Sequence, residues 1–293
     1  MSISATAQTM EPRAPQALPF SILRVARPQR RAIVSYLVTL ATWQLGSTSG
    51  RWLGFDLPLL GRIPAPSTVL AAWRHLVVDP GYWESWLSSS ERVAVGFFAA
   101  VLTGVPLGLV MTLNRPIRDV VFPVFELLRP IPPLAWVPIA IIFWPTQELS
   151  IAAVIYIGAF YTLVLNAMSG ARSIDPRLVQ VARSMGASRW NILTRLVLPG
   201  VLPSVLVGME VSLGITWEVV VAAEMISGGG SARGAGSGGG LGFLIWNSYV
   251  GGSFPQIIVG MVSIGIAGYL SCTALRLLAA RLSRWNLPHG ARA

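Results

Sequence analysis

Long apolar runs without charged residues alternate with shorter polar segments along this chain. Residues 93–114, 149–171 and 254–275 contain no Asp, Glu, Lys or Arg. Because a helix rises about 1.5 Å per residue, a run of this length can cross the roughly 30 Å hydrocarbon core of a bilayer. The pattern therefore predicts membrane-spanning helices over Arg92–Asn114, Leu149–Ala171 and Phe254–Leu275 and argues against the buried helices of a large soluble protein.

Three further runs are less regular, and they bring the predicted number of spans to six. The first, residues 32–49, contains several Thr, Ser and Gln, and another covers Leu196–Ile226. The remaining span starts near Asp119 and is interrupted by Pro130, Pro132 and Pro133 before the apolar run to Trp144. A broken helix is costly in lipid, so this break is expected to be shielded by protein or to line a cavity.

These runs predict an all-α polytopic membrane protein of about six transmembrane helices. Residues 1–31 form a cytoplasmic N-terminal tail with a basic juxtamembrane segment, residues 32–285 the transmembrane domain, and residues 286–293 a cytoplasmic C-terminal tail. A cytoplasmic loop, residues 172–195, separates the fourth and fifth spans, and Gly228–Gly240 is rich in Gly and Ser and is predicted to be a loop.

The net charge of +10 comes from arginines that cluster on one side of the predicted membrane. With six spans, one side holds the arginines near both termini and in the segments after spans two and four. The other side holds mainly Arg51, Arg62, Arg74 and Arg233. By the positive-inside rule both termini are cytoplasmic. This placement beside apolar runs favours membrane topology over nucleic-acid binding.

The residue inventory excludes several kinds of chemistry. All 22 basic residues are arginine, so the chain cannot carry the lysine that a P-loop needs or a Schiff-base lysine. Cys272 is the single cysteine, and His75 and His289 lie far apart. We therefore expect no catalytic site, no metal and no cofactor held by this chain.

The loop between the fourth and fifth spans has the pattern of a short amphipathic helix. Asp175 can cap its start, Pro176 suits the first helical position, and Gly186 can adopt the left-handed conformation that ends it. One apolar face is predicted for Leu178, Val181, Ala182 and Met185. Such a helix either lies on lipid headgroups or fits a groove of a partner protein.

The same loop resembles the EAA loop of binding-protein-dependent ABC importers. That pattern is EAA, three residues, Gly, nine residues, then I-x-L-P. In this chain the matching positions are Gln180, Val181, Ala182, Gly186, Leu196, Val197, Leu198 and Pro199. The spacing is preserved, although Gln180 replaces the glutamate and Val181 the middle alanine.

Further segments from about residue 64 to residue 288 resemble the nitrate, sulfonate, bicarbonate and taurine branch of these permeases. They are SSERVAVGFFAAVLTGVPLGL, LLRPIPPLAWVPIAIIFW, VARSMGASRW and VVVAAEMI. The resemblance implies a type I ABC importer permease in a bacterial inner membrane, importing a small anion such as nitrate, bicarbonate, taurine or another alkanesulfonate. It implies as partners two ATP-binding cassette subunits that bind ATP and magnesium, an extracytoplasmic substrate-binding protein, and a second permease copy.

Ionisable and aromatic residues inside the predicted spans are candidates for the translocation path. In the fifth span Glu210, Trp217 and Glu224 follow one helical stripe, with Glu218 beside it; the acids either line the path or pair inside the bundle. Near the proline break, Glu126 and Arg129 are three residues apart, a spacing that favours a structural ion pair. Trp136 is a further path candidate, while Trp144 and Trp246 are predicted interfacial anchors.

Two other classes of membrane protein are compatible with a polytopic chain. A secondary transporter would not need the loop spacing described above and usually shows internal repeats, which this sequence lacks. A membrane-embedded enzyme would need His, Cys or Asp residues grouped within the spans. Gly104 and Gly108 form a GxxxG pair that permits close helix approach, although such pairs are frequent in Gly-rich spans.

Overall fold

The computed structural model describes residues 29–50, 61, 63–227 and 239–283, and these residues are helical apart from the turns that join the helices. The C-terminal tail, most of the N-terminal tail and residues 228–238 of the predicted Gly-rich loop lie outside the described residues. The all-α prediction is confirmed for the part of the chain that the structure covers.

The helices are numbered here in chain order. They are α1 (Gln29–Ser47), α2 (Pro66–Val78), α3 (Pro80–Leu113), α4 (Arg115–Leu128), α5 (Val137–Phe143), α6 (Gln147–Arg172), α7 (Pro176–Ser184), α8 (Arg189–Ile226), α9 (Leu241–Val250) and α10 (Phe254–Leu282). A 3₁₀ turn, Pro133–Trp136, precedes α5, and α8 contains one π-helical turn, Leu193–Val197.

Helix α6 lies at the centre of the bundle. Half of the side chains in its most apolar stretch are buried, more than in any other candidate span of the described residues. Ile155, Ala159 and Leu163 are fully buried on it, and they pack against buried residues of α3 and α8 in one continuous apolar cluster. The other helices are arranged around this three-helix core.

Glycines let α3 approach α6 closely. A Cβ atom at Gly108 would lie 2.6 Å from the backbone oxygen of Val164, and one at Gly96 would lie 2.6 Å from the Ile155 side chain. Gly104 has more room, since its nearest neighbour would be 3.3 Å away on Phe160. The tightest contact of the predicted GxxxG pair is therefore at Gly108, where the obstacle is backbone that cannot rotate away.

Length and composition support four membrane spans among the described residues, namely α3, α6, α8 and α10. A fifth is added if the bent pair α4 and α5 counts as one span. The first predicted span is a helix, α1, but it does not reach the same hydropathy, so the sixth span stays a prediction.

The proline break is an abrupt change of direction. The helix that ends at Leu128 and the segment that begins at Pro133 are bent by 90° relative to each other. Pro130, Pro132 and Pro133 lack backbone N–H groups, so the helical hydrogen-bond ladder cannot continue through them. The interruption predicted within the third span is thus a sharp elbow.

The early start of α3 and the short helix α9 were not predicted from the sequence. Helix α3 begins at Pro80, twelve residues before the predicted boundary at Arg92, because Asp79 caps the helix by accepting from Gly81 N at 3.1 Å. The buried Tyr82 hydroxyl then joins this extension to Ser263 of α10 at 2.8 Å. Helix α9 is apolar but only ten residues long, too short to span a membrane.

The close contact at Gly108 predicts a specific stability loss. Gly108→Ala should lower the free energy of unfolding by about 1–3 kcal/mol, because the added methyl group forces α3 away from the α6 backbone. Thermal unfolding in detergent would measure it. Gly265→Ala on α10 is the matched control, since nothing lies within 4 Å of its Cβ position. Equal melting temperatures for the two variants would contradict the packing argument.

Candidate functional site

The loop between α6 and α8 folds as its sequence predicts. The Asp175 carboxylate accepts from Arg177 N at 2.8 Å, and Pro176 occupies the first position of α7. A side-chain acceptor at this position satisfies one of the amide groups left free at a helix start. The start of α7 is therefore fixed by residues of the loop itself.

The end of α7 is equally well defined. Gly186 has φ of +79°, Gly186 N donates to Arg183 O at 2.9 Å, and Ala187 N donates to Ala182 O at 3.0 Å. This pair of bonds is the Schellman arrangement, which needs a left-handed residue where glycine is placed. Ser188 then caps α8 by accepting from Asn191 N at 3.2 Å. The predicted helix, turn and second helix are confirmed.

The apolar residues of α7 divide between two sides. Ala182 is half-buried and packs with Val179 against the apolar cluster at the start of α8. Leu178, Val181 and Met185 are instead 52 %, 55 % and 76 % exposed. The predicted single face is therefore corrected at Ala182, which faces the bundle while the other three side chains face outward.

Other residues of the loop pattern extend this outward surface. Gln180 is exposed beside Val181, and Trp190 at the start of α8 is 69 % exposed. Leu198 is 43 % exposed and Pro199 is half-buried, about two turns further along α8. An exposed apolar surface on a segment rich in arginine is typical of a region that another protein or lipid headgroups cover.

A buried polar cluster lies at the other end of α8. Arg92 of α3 donates Nε to Glu148 Oε2 and Nη2 to Glu148 Oε1, both at 2.6 Å, and Nη1 to Glu224 Oε1 at 2.7 Å. Arg92 and Glu224 are almost completely buried, whereas the Glu148 side chain is 62 % exposed. One guanidinium thus connects α3, α6 and α8.

The same cluster holds the segment that leads into α9. Glu224 accepts from Ser89 Oγ at 2.8 Å and from Gly242 N at 2.8 Å, while Ser89 Oγ also accepts from Leu241 N at 2.8 Å. Arg92 Nη1 donates to Gly239 O at 3.1 Å. The chain itself therefore supplies three donors to the buried Glu224 carboxylate: Ser89 Oγ, Arg92 Nη1 and Gly242 N.

Only glycine fits at Gly240 within this cluster. Its φ is +88°, and a Cβ atom there would overlap the carboxylate of Glu224. Both the left-handed backbone and the close approach exclude larger residues. The end of the predicted Gly-rich loop is thus a structured contact, where the prediction was a flexible loop.

The sequence singled out Glu224 but not its partners. Arg92 was assigned only as a span boundary, and Ser89 and Glu148 were not identified. These partners lie 132, 135 and 76 residues from Glu224 in the sequence, so no local periodicity connects them. The signal that could have found them is the need of a buried carboxylate for a cation at the same end of the bundle.

The loop surface and the polar cluster are far apart. From Leu198 to Glu224 the helix advances 26 residues, which is about 39 Å along its axis. The α7 surface therefore lies at one end of the bundle and the Arg92 cluster near the other.

The other residues of the predicted stripe on α8 have separate environments. Glu210 pairs with Arg276 Nε of α10 at 3.0 Å, and the Trp217 indole donates to Ser271 Oγ at 2.8 Å. Trp217 is buried, whereas Glu218 is exposed. The structure thus does not bring Glu210, Trp217 and Glu224 to one shared site.

The candidates at the elbow are placed differently from expectation. Glu126 and Arg129 are exposed, and among the described residues neither takes part in an ion pair, so the predicted structural pair is not formed.

The Trp136 indole N–H is buried without a hydrogen-bond partner in the described part of the chain. Trp136 and Trp144 line an apolar cavity of about 360 Å³ between α5 and α6. Trp246 on α9 is 40 % exposed.

Within residues 29–50, 61, 63–227 and 239–283, no three His, Cys, Asp or Glu side chains come together as metal ligands. The grouped functional features are instead an outward apolar surface at one end and an internal charge cluster at the other.

Comparisons with known proteins identify relatives across most of the chain. Residues 104–286 match the family model described as "Binding-protein-dependent transport system inner membrane component". The taurine transport system permease protein TauC of Escherichia coli (strain K12) is 32 % identical over 267 residues, covering 89 % of this chain and 92 % of the relative. The nitrate import permease protein NrtB of Leptolyngbya laminosa is 30 % identical and covers 94 % of this chain and 98 % of its own length. The bicarbonate transport system permease protein CmpB of Synechococcus elongatus is 31 % identical, with 85 % and 86 % covered.

Solved structures give the same fold. Two inward-facing crystal forms of the MetNI methionine ABC transporter contain a chain that superposes with TM-scores of 0.52 and 0.53. Sequence identity is 22 % and 18 %, and 97 % and 95 % of those chains are covered. The fold is that of a type I importer permease, and this chain belongs to the family of inner-membrane components of binding-protein-dependent transport systems, the permeases of ABC importers.

Proposed function

We propose that this chain forms the solute path of an ABC importer and is coupled through α7 to ATP hydrolysis by separate subunits. The observation that carries the proposal is the outward apolar surface of Leu178, Val181 and Met185, held by caps at both ends of α7. Two ATP-binding cassette subunits would bind two permease copies, most simply a homodimer, and an extracytoplasmic binding protein would deliver the solute.

Hydrophobic contact favours this docking. Full burial of one aliphatic side chain is worth about 1.5–3 kcal/mol, so covering these three, which are 52–76 % exposed, contributes about 3–5 kcal/mol. The surrounding arginines can add charge contacts at the rim, where each is worth less. A groove that accepts this short helix would bind it mainly by shape and apolar area.

ATP chemistry is assigned to the partner subunits. The chain has no lysine for a P-loop, so ATP and magnesium are bound by those subunits and not by the permease. The chain itself breaks no bond, and its contribution is the path and its movement.

The proposed solute is a small anion. The relatives named above carry the names of taurine, nitrate and bicarbonate systems, and each of these solutes presents an oxyanion group. The candidate path residues remain those suggested by the sequence. They are Glu126, Arg129, Trp136, Glu210, Trp217, Glu218 and Glu224. Glu224 is assigned a supporting role, since its carboxylate is enclosed by Arg92 and Ser89.

The proposed orientation follows from the arginines. Arg177, Arg183, Arg189 and Arg195 lie around α7 and the start of α8, and by the positive-inside rule they support a cytoplasmic position for this end of the bundle. The Arg92 cluster then lies at the extracytoplasmic end. Both termini are proposed to be cytoplasmic in a multi-pass inner-membrane protein.

Replacing Gly186 tests the coupling assignment. Gly186→Val should weaken association with the ATPase at least tenfold, because a β-branched residue at a φ of +79° costs about 1–2 kcal/mol or more and reorients α7. Uptake should fall with association, while membrane abundance stays near wild type. Co-purification of the ATPase with each permease variant, alongside uptake, measures both.

Two controls separate geometry from general damage. Gly186→Asn should keep association within about twofold, because asparagine tolerates the left-handed region and nothing lies within 4 Å of the added Cβ. Arg183→Ala should also be mild, since it removes an exposed charge from the apolar surface's edge. Full ATPase recovery and normal uptake with Gly186→Val would refute the assignment of α7 as the docking surface.

The buried cluster predicts a different response at the other end. Glu224→Gln should destabilise the permease by about 1.5–3 kcal/mol, the cost of weakening hydrogen bonds to a buried charge, and should reduce uptake several-fold. Glu218→Gln should lower stability and uptake less than Glu224→Gln does, since Glu218 is exposed and lies outside the buried cluster. ATPase association should survive both changes because the cluster lies about 39 Å from α7. Thermal unfolding, uptake and co-purification give the three readouts. Identical behaviour of both variants would show that Glu224 does not have the supporting role assigned to it.

Orientation can be checked with reporters. Fusions at both termini should report the cytoplasm, and a reporter inserted at Gly236 should report the extracytoplasmic side, as the arginine distribution requires. Alkaline phosphatase and a fluorescent protein provide complementary signals. A cytoplasmic signal at Gly236 is the result that would overturn this topology.

A further inference from the structure

The elbow between α4 and α5, residues 129–136, lies near the middle of the bundle. Helix α4 begins at Arg115, so Arg129 is about 21 Å along its axis. Pro133 packs beside Gly158, the midpoint of α6, where an added Cβ would lie 3.6 Å from Pro133 and 3.2 Å from Val219 of α8. Two independent measures therefore place the elbow at mid-depth.

The elbow leaves polar groups exposed at this depth. Arg129 and Glu126 are exposed. Pro130 and Pro133 have no N–H to offer the carbonyls of Glu126 and Arg129, the residues four positions earlier. Both the side chains and the backbone thus require partners outside this segment.

Lipid cannot supply these partners. Irregular backbone is tolerated at membrane depth only where protein covers it or water fills the adjacent space. Ionisable side chains at this depth likewise face the bundle interior or an aqueous cavity. The exposed side of the elbow therefore faces an aqueous path or the second permease copy.

Arg129 differs in its charge environment from Arg92 of α3 and Arg276 of α10. Arg92 is neutralised by Glu148 and Glu224, and Arg276 by Glu210. Arg129 has no carboxylate within ion-pairing distance among the described residues. Its guanidinium is therefore available to an incoming anion.

We propose that the elbow lines the solute path at mid-depth and that Arg129 is the residue that contacts the oxyanion of the solute. This inference rests on the proposed function, which it deepens by naming the contact. A guanidinium presents planar, paired N–H donors that match two oxygens of a sulfonate, nitrate or bicarbonate group, whereas an ammonium acts as a point charge. Arg129 would thus provide both attraction and geometric selection.

Water access at the elbow can be tested without knowing the solute. Cysteine is introduced as Arg129→Cys in a Cys272→Ser background, which removes the single native cysteine. In membrane fragments whose two faces are both accessible, a membrane-impermeant methanethiosulfonate reagent should label the cysteine at position 129. Leu127→Cys is the matched control, because Leu127 is 75 % exposed on the opposite side of α4 and should stay unlabelled in lipid. No labelling at 129, or equal labelling at both positions, would overturn a path at the elbow.

Uptake then tests the role of the guanidinium. The substrate is whichever of radiolabelled taurine, nitrate or bicarbonate the wild type transports. Arg129→Gln should reduce its uptake rate at least tenfold. Arg129→Lys should restore part of the uptake rate, with a raised KM. Arg115→Gln, at the start of α4, should transport like wild type. Wild-type uptake by Arg129→Gln would refute the contact.

Complex assembly separates this inference from the proposed function. The Arg129 variants should co-purify with the ATPase and with a second permease copy as wild type does. If Arg129→Gln instead loses the second copy and Glu126→Gln does the same, the two residues pair between copies and the oxyanion contact is wrong. If the wild-type chain itself binds no ATPase, the proposed function fails, whatever position 129 does.

Discussion

Hydrocarbon offers no hydrogen bonds, so every polar group at membrane depth must find its partner within the protein or in an enclosed aqueous space. The long helices meet this requirement for the backbone. For side chains, the Arg92 cluster meets it by using two N–H edges of a single guanidinium, with Glu148 on one edge and Glu224 on the other. Ser89 and Gly242 N complete the shell of the buried carboxylate. The cluster thereby connects α3, α6, α8 and the start of α9 at one end of the bundle.

Helix α8 connects the end of the bundle that holds the Arg92 cluster to the apolar surface of α7. It runs without interruption from Arg189 to Ile226, a length of about 57 Å for its 38 residues. A π-helical turn at Leu193–Val197 lies just beyond the apolar surface of α7, and such turns are frequent at functional sites. If α7 binds a partner as proposed, its displacement would reach the far end of the bundle through this one helix. The tight contacts of α6 with α3 and α8 would carry it to the rest of the core.

Local features of the fold could be predicted from the sequence, because they depend on residues close together in the chain. The caps of α7, the left-handed turn at Gly186 and the interruption by Pro130 and Pro133 all follow from local chemistry. The side of α7 that faces inward could not be predicted, since periodicity gives a face but not its neighbours, and Ala182 packs toward α8 while Val181 does not. The partners of Glu224 were equally out of reach, because Arg92 is 132 residues away. The early start of α3 was missed for another reason: charged residues end an apolar run, but they do not end a helix.

The distribution of charge resolves a difficulty that acidic spans pose for an anion path. Three glutamates in α8 would repel an anion if all of them faced the path. Glu224 is enclosed by Arg92, and Glu210 is paired with Arg276, so the fields of both carboxylates are largely compensated before a solute approaches. Glu218 remains exposed on α8, and at the elbow Arg129 carries a positive charge that no described carboxylate neutralises within ion-pairing distance. The acids of α8 can therefore serve the packing of the bundle, and under the proposed contact at Arg129 the elbow would determine which sign of charge the path accepts.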